Sequence, residues 1–254
     1  MTLRTNYWEE RLIGNQYRKG TKRMDKEILK IYKSATKELQ ALVNDAWLKM
    51  LQNGTISQSQ LYQYGRYIKL QEQINTILTS LGQQEISIIN TQLQDLYETT
   101  FTESTRSIGG RDSFSLLNKQ NAIEVVNANF KGATFSERIW TRRDLLNEQL
   151  MRVITNSVVL GQDHKKVSRD LARRLEVGLS DSRALVRTET MRVLNTSCAN
   201  SALERGYKTY HVLMENNACE ECVENYTNKT FTLGVDQPPP KHTHCKCCVI
   251  VDLD

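Results

Sequence analysis

Proline and cysteine are missing from most of this chain. Residues 1–237 contain no proline, and residues 1–197 contain no cysteine. Without proline, nothing prevents long helices in that region. No apolar run reaches the roughly 18 residues that a membrane span needs, and the N-terminus has no apolar segment of the secretory type. We therefore expect a reducing cytoplasm, where clustered cysteines bind metal more often than they form disulfides.

The composition is that of a soluble globular protein with much exposed helical surface. Of its 254 residues, 39% are hydrophobic, 25% are charged and only 7% are aromatic. The net charge is +5, and residues 1–33 hold nine Lys or Arg against four Asp or Glu. Such a basic arm fits contact with nucleic acid or an acidic protein face, or equally a solvated helix start.

Apolar residues recur at three- and four-residue steps in several segments, the pattern of amphipathic helices. This pattern predicts helices over residues 24–51, 58–82, 85–101, 118–130, 136–160, 164–177 and 180–206. Glycines at positions 54, 82, 109, 110, 161, 178 and 206 are the predicted breaks. The predicted N-caps are Asp163 and either Ser180 or Asp181.

Near residue 207 the period changes to the alternation of β-strands. Strands are predicted within residues 207–215, 229–233 and 248–254. The predicted fold is mainly α with a small C-terminal α+β module. Its parts are an elongated N-terminal helical region (1–108, a hairpin or bundle), a helical middle region (109–206) and a C-terminal module (207–254) with short antiparallel strands around a zinc knuckle.

Five of the six cysteines lie in the C-terminal module, with two of the four histidines. Cys219 and Cys222 form a C-x2-C pair, which lets two thiolates approach one ion from a tight turn. His242 and Cys245 provide a second pair with the same spacing, so these four residues are the predicted tetrahedral zinc ligands. Cys247 can replace either residue of the second pair, and a four-cysteine set is the alternative.

Free or redox-paired thiols, including a disulfide between Cys219 and Cys222, are the competing interpretation of the cluster. His244 is a further potential donor, whereas Cys198 and Cys248 are expected to be packing residues. If zinc binds, four protein ligands leave no open position for water, so its role is structural. A small module with few large apolar residues gains most from such a metal.

No other pattern in the sequence indicates catalysis. Arg187, Glu189 and Arg192 are interpreted as helix-surface or cap-stabilising residues, and His211 as a half-buried strand residue. There is no glycine-rich phosphate loop, no nucleophile elbow and no carboxylate cluster with metal-ligand spacing. The protein is therefore not expected to be an enzyme.

Several short motifs follow one another in a fixed order from about residue 134 onward. They are Trp140 with Asp144 and Leu146 (W-x3-D-x-L), the Arg187-Thr188-Glu189 helix, His211 with Glu215 before Cys219 and Cys222, Asn228-Lys229-Thr230-Phe231, and residues 238–240 before His242, Cys245, Lys246 and Cys247. This series resembles the Mu F-like minor head protein family of tailed bacteriophages, also called phage head morphogenesis proteins. The chain departs from the family pattern at Glu215, where Asp is common, at Thr243, where proline is usual, and at the additional His244.

The resemblance implies a low-copy structural component of the phage head, associated with the portal vertex and assisting head assembly and DNA packaging or delivery. It implies the portal protein as partner, scaffold or major capsid protein as further partners, and non-specific contact with packaged DNA. The implied location is the virion interior near the portal, reached through the host cytoplasm, with no membrane involved.

Two other functions are alternatives to a role in the phage head. A stand-alone zinc-dependent nucleic-acid-binding protein is disfavoured, because Glu220, Glu221 and Glu224 surround the first knuckle. A toxin-like transferase or nuclease occurs in relatives of the family as a domain fused beyond the head module. Since this chain ends three residues after "VIV", no such domain is expected here.

Overall fold

The computed structural model describes residues 3–52, 56–62, 65–110, 116–215 and 218–253, without the side chains of residues 3–11, 60, 116 and 117. The described chain is mainly α-helical with a small C-terminal antiparallel sheet, which confirms the predicted fold class. Its elements are α1 (Leu3–Gln52), α2 (Gln58–Tyr62), α3 (Arg66–Ser107), α4 (Leu116–Val126), α5 (Phe135–Val159), α6 (His164–Glu204), β1 (Thr209–Leu213), α7 (Glu220–Tyr226), β2 (Phe231–Thr232) and β3 (Cys248–Val251). None of the described helices has a stretch long and apolar enough to cross a membrane.

The first helix is longer than its apolar pattern predicts. α1 begins at Leu3 rather than near residue 24, because no proline interrupts the preceding segment. Its buried side chains recur at three- and four-residue steps and include Ile28, Tyr32, Leu39 and Trp47. They form the apolar stripe of an amphipathic helix. The predicted end of this helix, at residues 53 and 54, lies outside the described residues.

The second predicted helix begins with the separate helix α2, and the rest of it forms one continuous helix, α3, with the third predicted helix, so the predicted break at Gly82 is wrong. A Cβ atom at Gly82 would lie 3.0 Å from Cζ3 of Trp140 on α5. The glycine therefore lets the indole ring pack against the backbone of α3, and it does not end the helix. Glycine inside a helix costs about 1 kcal/mol relative to alanine, and contact with Trp140 compensates for that cost.

The predicted break at Gly178 is also wrong. α6 runs through this residue, so Ser180 and Asp181 lie inside the helix and do not cap a new one. The carbonyl of Gly178 accepts a hydrogen bond from the Tyr32 hydroxyl at 3.0 Å. Unlike at Gly82, a Cβ atom here would make only ordinary contacts, 3.5 Å or more from Tyr32 and Leu146.

Four other predicted helix boundaries agree with the structure, whereas α3 runs to Ser107 instead of ending near residue 101 and α4 ends at Val126 instead of residue 130. Gly109, Gly161 and Gly206 each lie just beyond a helix and have positive φ angles of 78°, 60° and 86°, the conformation that commonly ends helices. At the start of α6, the carboxylate of Asp163 accepts a hydrogen bond from the backbone N–H of Lys166 at 3.0 Å. The predicted N-cap at Asp163 is thus confirmed.

The chain forms two compact units, each assembled from segments that are distant in sequence. Unit 1 comprises Met1–Asp25, Ile89–Phe135 and Ala184–Asp254, and unit 2 comprises Lys26–Ile88 and Ser136–Arg183. The helices α1, α3 and α6 contribute residues to both units, as does α5 through its first residue, Phe135. The division of the sequence into residues 1–108, 109–206 and 207–254 stays a prediction.

Unit 2 contains a buried ion pair beside a tyrosine. The side chains of Arg143 and Glu85 are 5% and 2% exposed, and Nη2 of Arg143 donates hydrogen bonds to the Glu85 carboxylate and, at 2.7 Å, to the Tyr32 hydroxyl. The guanidinium carbon lies 4.9 Å from the centroid of the Tyr32 ring. Burial raises the pKa of Tyr32, so its hydroxyl keeps the proton that it donates to Gly178.

The small sheet in unit 1 has the strand order β2-β1-β3, with both pairs antiparallel. Its observed strands lie within the three predicted segments, whereas α7 was not predicted. Apolar side chains of the sheet pack against small residues of α6. This core consists of Ala199, Ala202, Tyr210, Leu233, Val249 and Val251, all buried. The sheet therefore rests on the C-terminal part of α6.

Candidate metal centre

The first donor pair lies at the start of α7. Cys219 is the N-cap residue of this helix, with φ −73° and ψ 163°, and its carbonyl accepts a hydrogen bond from the Val223 N–H at 3.0 Å. Cys222 follows in the first helical turn and is buried, whereas Cys219 is exposed. The turn places one thiol at the surface and one in the interior of the module.

His242 connects the two halves of the predicted site. Its Nε2 atom lies 3.2 Å from Sγ of Cys219 and 3.0 Å from Sγ of Cys222. Its Nδ1 atom lies 2.7 Å from the carbonyl oxygen of Thr243, so Nδ1 carries the ring proton and donates it to that carbonyl. The lone pair of Nε2 is therefore directed to the thiols, as in a metal-binding histidine.

Two further thiols meet Cys222 in the interior. Its Sγ atom lies 3.7 Å from Sγ of Cys245 and 3.5 Å from Sγ of Cys247. In the described residues, the donor atoms form two groups of three that share Cys222, one with Cys219 and His242 and the other with Cys245 and Cys247. The structure thus places three of the four predicted ligands in the first group, and Cys245 in the second group with Cys222 and Cys247, the alternative that the sequence left open.

The remaining residues of the pattern lie outside these groups. His244 has a positive φ of 64°, and its backbone N–H donates to Oγ1 of Thr188 at 3.3 Å. Cys248 is half-buried and its thiol donates to the carbonyl of Lys246, and Cys198 is buried in α6. All six cysteines are free thiols.

The buried thiols have strongly altered proton affinities. Burial raises the pKa of Cys222 to about 12. A hydrogen bond donated by the Cys247 thiol lowers the pKa of Cys245 to about 5, and the same bond raises the pKa of Cys247. The neighbouring thiols thus favour the ionised form of Cys245, and a negative charge at that position would favour a bound cation.

Several donor separations are close to those around a tetrahedral zinc ion, but Cys219, Cys222, His242 and Cys245 do not form one group of four, so binding of one ion by all four requires the two groups to move closer together. Two sulfurs bound to zinc at about 2.3 Å lie about 3.8 Å apart, and a bound sulfur and nitrogen about 3.5 Å apart. The observed S···S separations are 3.5 and 3.7 Å, and the observed S···N separations are 3.0 and 3.2 Å. Thiolate and imidazole are also the donors that zinc prefers in structural sites.

The surface around the cluster is acidic. The cluster borders a cavity of about 260 Å³ that is also lined by Glu215 and Lys246. On α7, Glu220, Glu221 and Glu224 are all exposed, so carboxylates surround the C-x2-C pair. Carboxylates repel phosphate groups, so this face is poorly suited to bind nucleic acid.

The Arg-Thr-Glu helix differs from its prediction. Arg187 is exposed, as expected of a surface residue, but Glu189 and Arg192 are 1% and 5% exposed. They form an ion pair with a 2.7 Å Nε···Oε2 distance. The guanidinium of Arg192 also donates to the carbonyls of Val125 and Val126 at the end of α4. The predicted surface location is therefore wrong for Glu189 and Arg192. The alternative prediction, a cap-stabilising role, is right for Arg192, because its guanidinium donates hydrogen bonds to the last carbonyls of α4.

His211 is half-exposed and bonded at both ring nitrogens, to Asp252 and to Thr230.

Asn195 of α6 is a residue that the sequence patterns did not single out. It is fully buried and hydrogen-bonded to the segment that carries His242, Cys245 and Cys247. Its spacing of seven residues from Thr188, two helical turns on one face, is the signal that could have identified it.

The fold and the cluster together define a mainly helical protein with a candidate structural metal centre in a small C-terminal module. The chain is similar to minor head protein GP7 of Bacillus phage SPP1, with 21% identity over 188 residues. The match covers 72% of this chain and 60% of that protein, so the chain spans about 60% of the length of this relative. No family model matches the chain, and no solved structure matches it.

Proposed function

We propose that this protein is a structural, non-enzymatic minor head protein of a tailed bacteriophage. The observation that carries the proposal is the similarity to the SPP1 minor head protein over 188 residues. That distant similarity suggests a structural role in the head and a location in the virion. The ordered motifs from Trp140 to Cys247 support the same family.

We further propose that the C-terminal module binds one structural zinc ion. Cys219, Cys222, His242 and Cys245 are the proposed ligands, with Cys247 as the alternative donor. When bound, zinc supplies a cross-link between α7 and the segment before β3, since four protein ligands leave no position for water or substrate. The short S···S and S···N separations support this assignment.

The proposed partner is the portal protein, with scaffold or major capsid protein as further candidates, and the proposed location is the head interior near the portal vertex. There the protein would assist head assembly and DNA packaging or delivery. The excess of Lys and Arg in residues 1–33 supports non-specific contact with packaged DNA. The acidic surface of α7 argues against the C-terminal module as the DNA-contacting part.

Quantitative mass spectrometry of purified virions and of portal-deficient heads of the same phage tests this role. We expect the protein at low copy number in virions and at a strongly reduced level in heads without portal. Co-expression with the portal protein of that phage should give a complex that survives gel filtration. Absence from virions would overturn the head role. Equal amounts in both kinds of head would overturn the portal association alone.

A further inference from the structure

The amide side chain of Asn195 contacts the ligand-bearing segment at three points. Nδ2 donates hydrogen bonds to the carbonyls of Pro239, at 3.2 Å, and Cys247, at 2.9 Å. Oδ1 accepts a hydrogen bond from the backbone N–H of Val249 at 2.9 Å. Asn195 is 0% exposed, so water cannot replace these bonds, and both of its donor hydrogens are used.

These contacts lie on both sides of the proposed ligands. Pro239 precedes His242, whereas Cys247 and Val249 follow Cys245, so the amide holds the two ends of the loop that carries the second donor pair. β3 is an edge strand, since the sheet order is β2-β1-β3. The C=O of Cys247 and the N–H of Val249 are groups that a further strand would pair with, and Asn195 takes the place of that strand.

Thr188 adds a contact on the same face of α6. It lies seven residues, or two helical turns, before Asn195, and its Oγ1 accepts the backbone N–H of His244 at 3.3 Å. The same hydroxyl donates to the carbonyl of Ala184 at 2.9 Å, which fixes its orientation. α6 therefore contacts the loop between His242 and Cys245 as well as both of its ends.

We infer that Asn195, assisted by Thr188, is a positioning residue for the metal centre: it holds the 239–249 segment so that His242, Cys245 and Cys247 face Cys222 before metal binds. This inference rests on the proposed zinc site. A loop that is ordered in advance loses less conformational entropy on binding. Loss of such supporting hydrogen bonds around metal ligands typically lowers metal affinity by about 10–100-fold.

The test compares the zinc affinity of the full chain and of two asparagine variants, measured by competition with a chromophoric chelator. Asn195→Ala is expected to bind zinc about 10–100-fold more weakly than the wild type, still near one zinc per chain. Asn200→Ala is the matched control, because Asn200 lies on the same helix and donates to the Tyr97 hydroxyl at 2.9 Å, away from the loop. Its zinc affinity should stay within about twofold of the wild type. A simply structural role would lower the stability of both variants and leave both zinc affinities unchanged, which would overturn the inference.

Thr188→Val keeps the side-chain shape and removes the acceptor for His244, and it is the second variant if Asn195→Ala does not fold. We expect its zinc affinity to fall several-fold; an unchanged affinity in that case overturns the inference. A wild-type chain without zinc would overturn the proposed metal site itself. A wild-type chain that binds zinc, with an Asn195→Ala variant of equal affinity, would overturn only the positioning role.

Discussion

In unit 2, large apolar side chains such as Trp47, Ile74 and Leu150 are fully buried, and so is the ion pair between Arg143 and Glu85. In the C-terminal module, the buried cluster around α7 instead consists of Cys222, Cys245, Cys247 and Tyr226. The helical unit thus gains its stability from apolar packing, at about 1.5–3 kcal/mol for each large side chain that is fully buried. The module offers few such side chains around its thiols.

This difference in core composition indicates how much stability each region would gain from a bound metal ion. A structural zinc ion contributes about 10–16 kcal/mol of apparent binding free energy at neutral pH, and this energy becomes folding energy where the metal-free site does not form. We therefore expect the module, whose loop is held by Asn195 and Thr188, to gain most of its stability from the proposed zinc ion, and the helical unit to gain none.

The largest effect is expected from Cys222→Ser, which removes the thiol shared by both donor groups. Zinc binding should be lost, and residues 207–253 should become sensitive to protease because the cross-link is worth about 10–16 kcal/mol. The helices of unit 2 should stay intact. Limited proteolysis with mass spectrometry of the fragments distinguishes the two regions.

Cys248→Ser is the control for this variant, because Cys248 lies in the same segment but outside both donor groups. It should keep the zinc and the protease resistance of the wild type. If Cys222→Ser leaves the module as resistant as the wild type, the metal does not hold the module together.

The next largest effect is expected in unit 2. Arg143→Met leaves the Glu85 carboxylate buried without its cation, which should lower the free energy of unfolding by about 3–5 kcal/mol. Urea denaturation followed by far-ultraviolet circular dichroism measures this loss. Zinc content should not change.

The double variant Arg143→Met with Glu85→Leu is the control, because removing both charges leaves no unpaired ion. It should recover much of the lost stability. If Arg143→Met is as stable as the wild type, the ion pair does not matter to the helical unit. Loss of zinc from this variant would contradict the separate stabilisation of the two regions.

Smaller effects on the free energy of unfolding, opposite in sign to each other, are expected at the helical glycines Gly82 and Gly178. Gly82→Ala places a Cβ 3.0 Å from Trp140, and overpacking of about 1–3 kcal/mol exceeds the gain of about 1 kcal/mol in helix propensity. At Gly178 the new Cβ would lie 3.5 Å or more from Tyr32 and Leu146, an ordinary contact. We expect Gly82→Ala to lower and Gly178→Ala to raise the free energy of unfolding, each by about 1 kcal/mol. If urea denaturation gives the same change in the free energy of unfolding for both variants, close packing does not determine the effect of alanine at either site.

The smallest effect concerns the start of α6. The backbone N–H of Lys166 lowers the pKa of Asp163 below its ordinary value of 3.8. A lowered folded-state pKa means that the cap contributes fully above about pH 3.8 and is lost as the pH falls through the lower folded-state value. Amide exchange of residues 164–167 should accelerate over that range. Asp163→Asn keeps a capping oxygen and should remove the pH dependence; a dependence that persists would assign it to another group.

Much of this architecture follows from local sequence patterns. Three- and four-residue apolar spacing predicted the long helices but not α7, and the change to alternation after residue 206 predicted all three strands. The C-x2-C and H-x2-C pairs predicted side chains that the structure places in two neighbouring groups sharing Cys222. These features depend on neighbours in sequence, so a single chain reveals them.

The errors arise where a distant residue decides the outcome. Gly82 was interpreted as a break because the pattern does not show that Trp140 packs against it. Glu189 and Arg192 were predicted to be helix-surface or cap-stabilising residues because charged helix residues are usually exposed. The partners of Arg192 at Val125 and Val126 lie far away in sequence. Asn195 was not predicted for the same reason, since a single amide side chain within a helix does not show which distant chain segment it contacts.

The central claim is that one zinc ion holds the C-terminal module together, and metal content with stoichiometry tests it most directly. The measurement is inductively coupled plasma mass spectrometry on the full chain, purified without chelator, beside Cys222→Ser and Cys248→Ser. We expect about one zinc per chain in the wild type and in Cys248→Ser, and almost none in Cys222→Ser. A wild-type chain without metal, and with thiols that react freely, would contradict the claim.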